Sequence, residues 1–290
     1  MADRIDAHHH LWRYTQEEYR WIEPGMEAIA RDFLPSDLQM ELTACGIDGS
    51  VAVQARQTLD ETNWLLELAA NSSEIRGVVG WAPIAGADFP RVAERLQEKK
   101  KLKGLRHIIQ AEPDDEFILR DDFNSGIRTL AGRGLVYDVL IYERHLPAAI
   151  KFIDRHPNQV FVLDHIAKPR IKEQVLEPWR AKLFELAKRE NVYCKLSGMV
   201  TEANWTNWSS TDLRLYAEAA LEAFTPSRLM FGSDWPVCLL AANYDKWLQT
   251  AQDLLAGLSP TEKELVFGGV ASKVYSLEPV RQPTSSKKQE

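Results

Sequence analysis

The chain has 290 residues, 45% of them hydrophobic and 27% charged, with a formal net charge of −7. That length allows one large core or two modest ones, and the acidic balance argues against a nucleic-acid partner, which needs a concentrated basic face. Cys45, Cys194 and Cys238 make no disulfide framework, and no apolar run approaches the roughly 20 residues of a membrane span.

The opening Met1-Ala2-Asp3-Arg4 carries no signal core, so a cytoplasmic protein is expected. A strand is predicted over 5–10, reading Ile5-Asp6-Ala7-His8-His9-His10. Side chains alternate with period two, so His8 and His10 share a face with Asp6 behind them, while His9 faces away. Two imidazoles converging at a strand end can hold a divalent metal or a lactone, ester or amide carbonyl. A long connection, 12–34, leads to a helix over 36–45 that starts after Pro35 and stops at Gly46.

Further strands are predicted over 50–55, 77–84, 104–109, 135–141, 160–165, 192–196 and 229–234. Most are continuous apolar runs, as suits strands buried on both faces. Helices are predicted over 61–71, 89–101, 122–132, 144–156, 178–189, 213–224 and 243–255. The run Lys99-Lys100-Lys101 reads as a solvated helix end, and His145 and His156 as helix surface residues. Eight strand–helix alternations with no linker between them point to an α/β protein, a single (β/α)₈ TIM barrel over 1–279 with a polar tail at 280–290. An open doubly wound sheet is the alternative, but the first strand lacks the glycine-rich turn such a sheet uses.

In a barrel, reactive groups belong at the C-terminal ends of the strands. The first strand ends in His8 and His10, the fourth carries Arg106-His107, the sixth ends in Asp164-His165, the seventh holds Lys195, and the eighth ends in Asp234. Asp234 can orient a water, take its proton and return it to a leaving group. His165 can ligate a metal or polarise a carbonyl, whereas Asp164 faces away toward a structural partner. Arg106 is the candidate for anion steering. Lys195 reads either as a charge-stabilising cation in the pocket or as part of a buried ion pair. Cys238 has no local base to make it a nucleophile. Trp12, Trp81, Trp205, Trp208 and Trp235 fall at or just beyond strand ends, where they can stack on a small ring or pack loops onto the barrel.

These residues resemble the amidohydrolase superfamily, and within it the sugar-lactonase branch of L-fuconolactonase and L-rhamnono-lactonase-like proteins. The resemblance runs from Arg4 to about Leu277. It rests on Ile5-Asp6-Ala7-His8-His9-His10-Leu11-Trp12, Arg31-Asp32-Phe33-Leu34, Val53-Gln54-Ala55-Arg56-Gln57-Thr58, Gly104-Leu105-Arg106-His107, Glu112-Pro113-Asp114, Leu163-Asp164-His165-Ile166-Ala167-Lys168-Pro169, the stretch from Cys194 to Glu202, and Met230-Phe231-Gly232-Ser233-Asp234-Trp235-Pro236-Val237. It implies hydrolysis of a lactone, with His8, His10, His165 and Asp234 as metal ligands and Asp234 and His165 as catalytic groups. Gln54, Arg106, Trp12, Trp81, Trp235 and Lys195 are the expected substrate contacts. The segment Tyr137-Asp138-Val139-Leu140-Ile141 offers no bridging ligand for a second metal, so one divalent ion is expected, zinc first, with a metal-free route left open. Two departures stand out: Gly80-Trp81-Ala82-Pro83 lacks the acid of the usual Gly-Trp-x-Asp, and Val270 stands where an Asn often precedes Ala271.

The expected partner is a small-molecule lactone, most simply a sugar lactone, with neither nucleic acid nor membrane; a homo-oligomer stays open. The rival readings are a dicarboxylate-lactone or pyrone hydrolase or a decarboxylase on the same barrel, and a non-catalytic sugar-acid binder.

Overall fold

The computed structural model describes residues 3–279, so the expected tail at 280–290 lies outside the described residues. Eight parallel strands follow one another around a single sheet in chain order: β1 (Ile5–His9), β2 (Gly49–Val53), β3 (Ile75–Gly80), β4 (Leu102–Ile108), β5 (Val136–Leu140), β6 (Phe161–Leu163), β7 (Val192–Leu196) and β8 (Leu229–Phe231). The seam between last and first strand is joined just beyond β8. There Asp234 N donates to His8 O at 2.8 Å and His10 N donates to Trp235 O at 2.6 Å. The expected (β/α)₈ barrel is the observed fold.

Between the strands run α1 (Pro35–Cys45), α2 (Leu59–Asn71), α3 (Phe89–Gln97), α4 (Asp121–Leu130), α5 (Leu146–Asp154), α6 (Trp179–Ala187), the short α7 (Met199–Glu202) and the long α8 (Ser210–Arg228). After β8 come α9 (Tyr244–Leu254), α10 (Pro260–Glu264) and α11 (Val270–Val274). Ile5, Ala7, Val51, Val53, Val79, Val136, Val162 and Met230 form the apolar part of the barrel interior, packed against Val270, Ala271 and Tyr275 of the C-terminal segment. Small and β-branched side chains suit that crowded axis. Alternate residues such as Leu105, Val139, Leu163 and Leu196 join the larger core between sheet and helices. No described helix is long and apolar enough to cross a membrane.

Several boundaries differ from expectation, and the reasons bear on the site. Strands β6 and β8 end at Leu163 and Phe231, before His165 and Asp234. The chain then turns left-handed: His165, Ile166, Ala167 and Lys168 have φ of 51°, 49°, 61° and 46°, and Asp234 has φ 56°. Such conformations are costly for non-glycine residues and collect at functional sites. The lysine run is not a helix end, since α3 stops at Gln97 and Lys101 Nζ donates to Ile75 O at 2.8 Å. His145 and His156 are buried rather than on the surface. His145 sits in a tight turn ahead of α5 with Nε2 2.9 Å from Asp115 Oδ1, and His156, just past α5, bonds Asn124 of α4 at 2.8 Å.

Candidate active site

Strict alternation along β1 places Asp6, His8 and His10 on one face. The structure separates them. The pairing of β1 with β2 slips between Asp6 and His9, so Ala7 and His8 both point into the barrel. A bulge of this kind re-aims the side chains that follow it. Asp6 therefore faces outward, accepting from Tyr244 of α9 at 3.0 Å. It also accepts from Ser233 N at 2.8 Å and from Ser233 Oγ at 2.6 Å. His8 and His10 still converge as expected.

His10 Nδ1 lies 2.8 Å from Val53 O. A carbonyl only accepts, so Nδ1 carries the proton and the Nε2 lone pair faces the site. His8 Nε2 is 3.2 Å from His10 Nε2. Asp234 Oδ1 completes the group, 3.4 Å from His10 Nε2, 3.8 Å from His8 Nε2 and 3.8 Å from His165 Nε2. The left-handed turn swings His165 inward, and its Nδ1 is 2.8 Å from Ser197 Oγ. Gly198 makes room for it, because a Cβ there would fall 2.6 Å from His165 Nδ1. Likewise a Cβ on Gly232 would meet His8 Cβ at 2.7 Å.

Beneath these residues lies a dry set of charges. Asp164 does not face away: having left the strand, it turns inward beside His165. Its Oδ2 is 2.9 Å from Arg106 Nη1 and its Oδ1 is 3.0 Å from Lys195 Nζ. Lys195 also reaches Asp138 at 2.5 Å and His8 Nδ1 at 3.1 Å. Tyr275 donates to both Asp138 oxygens at 2.9 Å. Arg106 donates to Gln54 O and lies 3.4 Å from His8 Nε2.

Burial dominates the titration of this site. It lowers the pKa of His165 to about 4 and holds His8 and His10 below the usual imidazole range. It also pushes Asp138 up to about 6. For Asp234 burial works the other way from its neighbours, and His165 and His10 outweigh it, keeping the carboxyl below its ordinary range. At neutral pH the site holds neutral imidazoles facing an ionised Asp234.

A cavity of about 520 Å³ opens over the group. Among the expected residues, His10, Arg106, His165, Asp234 and the candidate stacking residue Trp205 line it. The others do not reach its wall. Lys195 is fully buried among its ion-pair partners, the second of its two sequence readings. Gln54 is buried beside the cavity residue Ala55, with Nε2 on Arg106 O at 3.3 Å and Oε1 without a hydrogen-bond partner. Trp12 is wholly buried, its Nε1 donating to Arg31 O at 2.8 Å, so it anchors the 12–34 connection. Trp235 packs edge-on against Phe33 at 5.1 Å. Trp81 bonds His107, which alternation turns outward from β4.

Among the wall residues that sequence reasoning did not name as site candidates are Trp21, Tyr142, Lys168 and Glu202. Trp21 lies within the long 12–34 connection, whose length was the available signal. Lys168 and Glu202 follow the ends of β6 and β7, but the turns that aim them have no sequence signature.

The whole described barrel matches one family model, amidohydrolase, over residues 5–277. The chain belongs to the amidohydrolase family. Among similar proteins, an L-fucono-1,5-lactonase of Burkholderia multivorans is 45% identical over 289 residues, covering 95% of this chain and 97% of its own. An L-fucono-1,5-lactonase of Burkholderia ambifaria is 36% identical, covering 96% and 97%. A crystal structure of a Burkholderia multivorans amidohydrolase with bound zinc superposes with a TM-score of 0.91 at 45% identity, covering 96% of this chain and 100% of that one.

This amidohydrolase's donor set fits a divalent ion. Ligand atoms about 2.1 Å from a tetrahedral zinc stand about 3.4 Å apart. His8 Nε2, His10 Nε2 and Asp234 Oδ1 are separated by 3.2, 3.4 and 3.8 Å. Val53 fixes the tautomer that leaves the His10 lone pair free, as metal-binding imidazoles require.

Proposed function

We propose that this amidohydrolase opens the ring of a neutral sugar lactone. The observation that carries the reading is the Asp234 carboxylate, 3.4 to 3.8 Å from three imidazoles at the base of a cavity. The relatives named L-fucono-1,5-lactonase support it.

Asp234, His8, His10 and His165 would hold a water against the lactone carbonyl. Asp234 takes one proton as the water oxygen bonds to the carbonyl carbon. With Ser197 donating to Nδ1, His165 offers its Nε2–H to the carbonyl oxygen as negative charge develops there. The ring C–O bond then breaks, and the departing ring oxygen takes the proton back from Asp234. The product is a hydroxy acid containing the atoms of lactone and water. One zinc, held by His8, His10 and Asp234, would supply Lewis-acid polarisation and a more acidic water.

The cavity favours a neutral ring over a dicarboxylate. Its guanidinium, Arg106, is already engaged by Asp164 at 2.9 Å. Arg56, next in sequence to the cavity residue Ala55, is tied to Glu18 at 2.9 Å. Met26, Ile108, Leu140, Val237 and Leu240 give the wall an apolar side that suits the methyl group of a deoxy sugar.

The test is a pH-stat assay with L-fucono-1,5-lactone, other aldonolactones, muconolactone and a pyrone dicarboxylate, with CO₂ release measured on aromatic acids. Rapid turnover of neutral aldonolactones is expected. Turnover restricted to the acidic compounds would transfer the site to the rival chemistry, and ligand binding with no turnover would make the chain a binder.

A further inference from the structure

The catalytic cavity adjoins a second groove of about 770 Å³. The two share Tyr142, Lys168, Thr201, Glu202 and Trp205 along a common lip. We infer that the outer groove is a subsite for a second sugar ring, so that the chain acts on aldonolactones carrying a glycosyl group. This rests on the lactonase reading and extends it.

The inner cavity alone exceeds the size of one lactone ring, and the outer groove would be idle with a monosaccharide. Its lining has what a pyranose needs, an aromatic face among alternating donors and acceptors. Trp205 is half-buried, and its plane is fixed by a bond from Nε1 to Thr201 O at 2.8 Å. Glu143 Oε2 is buried in the groove with no hydrogen-bond partner. Buried acceptors are rarely left empty, and a sugar hydroxyl donates to such an oxygen. Asn204, exposed on the groove wall, offers its Nδ2 amide as a donor, while its Oδ1 accepts from Thr206 N at 3.2 Å and Thr206 Oγ1 at 3.1 Å and so holds the side chain in place.

The groove's lining is close to charge-balanced, with Arg144, Lys168, Arg170 and Lys172 set against Glu143, Glu173 and Glu202, which suits a neutral occupant, and most of its cations are already paired. Arg144 is bound to Asp115 at 2.9 Å, Arg170 lies 3.9 Å from Glu173, and Lys168 Nζ is 3.6 Å from Glu202 Oε1. The Lys168–Glu202 pair marks the neck between the cavities, where it presents one donor and one acceptor to the linkage between the rings. Binding energy gained by a distal ring can be used at the reacting carbonyl.

The test compares L-fucono-1,5-lactone with its 2-O-, 3-O- and 4-O-β-glucosyl derivatives, using wild type, Glu143→Ala and Asn204→Ala. One derivative is expected to exceed the parent at least tenfold in kcat/KM, and that ratio is expected to fall toward one in both variants. Parent turnover with no derivative gaining overturns the subsite while leaving the lactonase reading intact. Saturation-transfer NMR with the ring-opened glucosyl aldonates reads the groove without catalysis. Contacts to the glucosyl ring that are lost in both variants support the inference, and absence of such contacts in wild type overturns it.

Discussion

Asp6 Oδ2 lies 2.6 Å from Ser233 Oγ, across the seam where the last strand meets the first. The same carboxylate accepts from Ser233 N and Tyr244 Oη, so it clamps the turn that carries Asp234 from outside the barrel. Asp234 occupies a left-handed conformation that this clamp helps to hold. Replacing one Asp6 oxygen by an amide, in Asp6→Asn, sets N–H donors against the serine and tyrosine hydroxyls. A loss of about 10- to 100-fold in kcat is expected, the scale for removing an outer partner of a metal or catalytic ligand. Steady-state kinetics alongside a thermal melt checks it: an intact fold with undiminished kcat would remove Asp6 from the machinery.

Asp234→Asn keeps the shape and one acceptor oxygen but cannot take a proton. It is expected to lower kcat by about 10² or more, the usual scale of general acid–base catalysis, with the barrel retained. Circular dichroism establishes the fold and initial rates establish the chemistry. Near-wild-type turnover rejects the assignment.

Lys195 joins Asp138 and Asp164 inside the barrel, all three fully buried. Lys195→Met leaves two carboxylates without that ammonium, so it is expected to cost about 3–5 kcal/mol of stability, as breaking a buried ion pair does. Tyr275→Phe removes only a donor to Asp138, and about 1–3 kcal/mol is expected. Urea unfolding of both variants orders the two effects. A Tyr275 variant as destabilised as the Lys195 variant would show that the C-terminal segment, rather than the ammonium, holds Asp138.

The barrel was legible in the sequence because eight apolar runs alternate with eight amphipathic ones, and that signal needs no side-chain detail. His8, His10, His165 and Asp234 were legible because polar residues ending apolar runs are conspicuous. What failed was inference by strict alternation. Asp6 and Asp164 each lie on the opposite face from the one assigned, because a bulge interrupts β1 and β6 ends at Leu163. Neither event has a glycine or proline to announce it. The tryptophans misled for another reason: a strand end at a barrel mouth borders both the cavity and the loops above it. Trp12 and Trp235 went to the loops, and Trp21 and Trp205 went to the cavity.

The donor set predicts one zinc per chain. Elemental analysis of purified wild type is expected to find it, and His10→Ala is expected to lose it, since two donors 3.8 Å apart make a poor site. Activity is expected to fall on chelation and return with added zinc. Full activity in metal-stripped protein would shift carbonyl polarisation to His165 alone.

Glu61 supplies a pH prediction separate from catalysis. In the first turn of α2, its carboxylate accepts from Ala55 N at 3.2 Å and from Arg56 N at 2.8 Å, tethering the turn beside the cavity. Burial raises its pKa from 4.5 to about 7, against those bonds and the nearby Arg56 and Arg106. A carboxyl raised on folding holds its proton more tightly in the folded state, so its stabilising contribution is complete below about pH 4.5 and is lost as pH rises through about 7. The loss amounts to roughly 3 kcal/mol across that window. Glu61→Gln keeps an acceptor oxygen and does not titrate. Urea unfolding of wild type and variant at intervals from pH 5 to pH 8 is expected to show their stability difference shifting in the variant's favour as pH rises. A difference that stays constant across the window would mean that Glu61 is ionised throughout, with the two backbone N–H groups outweighing its burial.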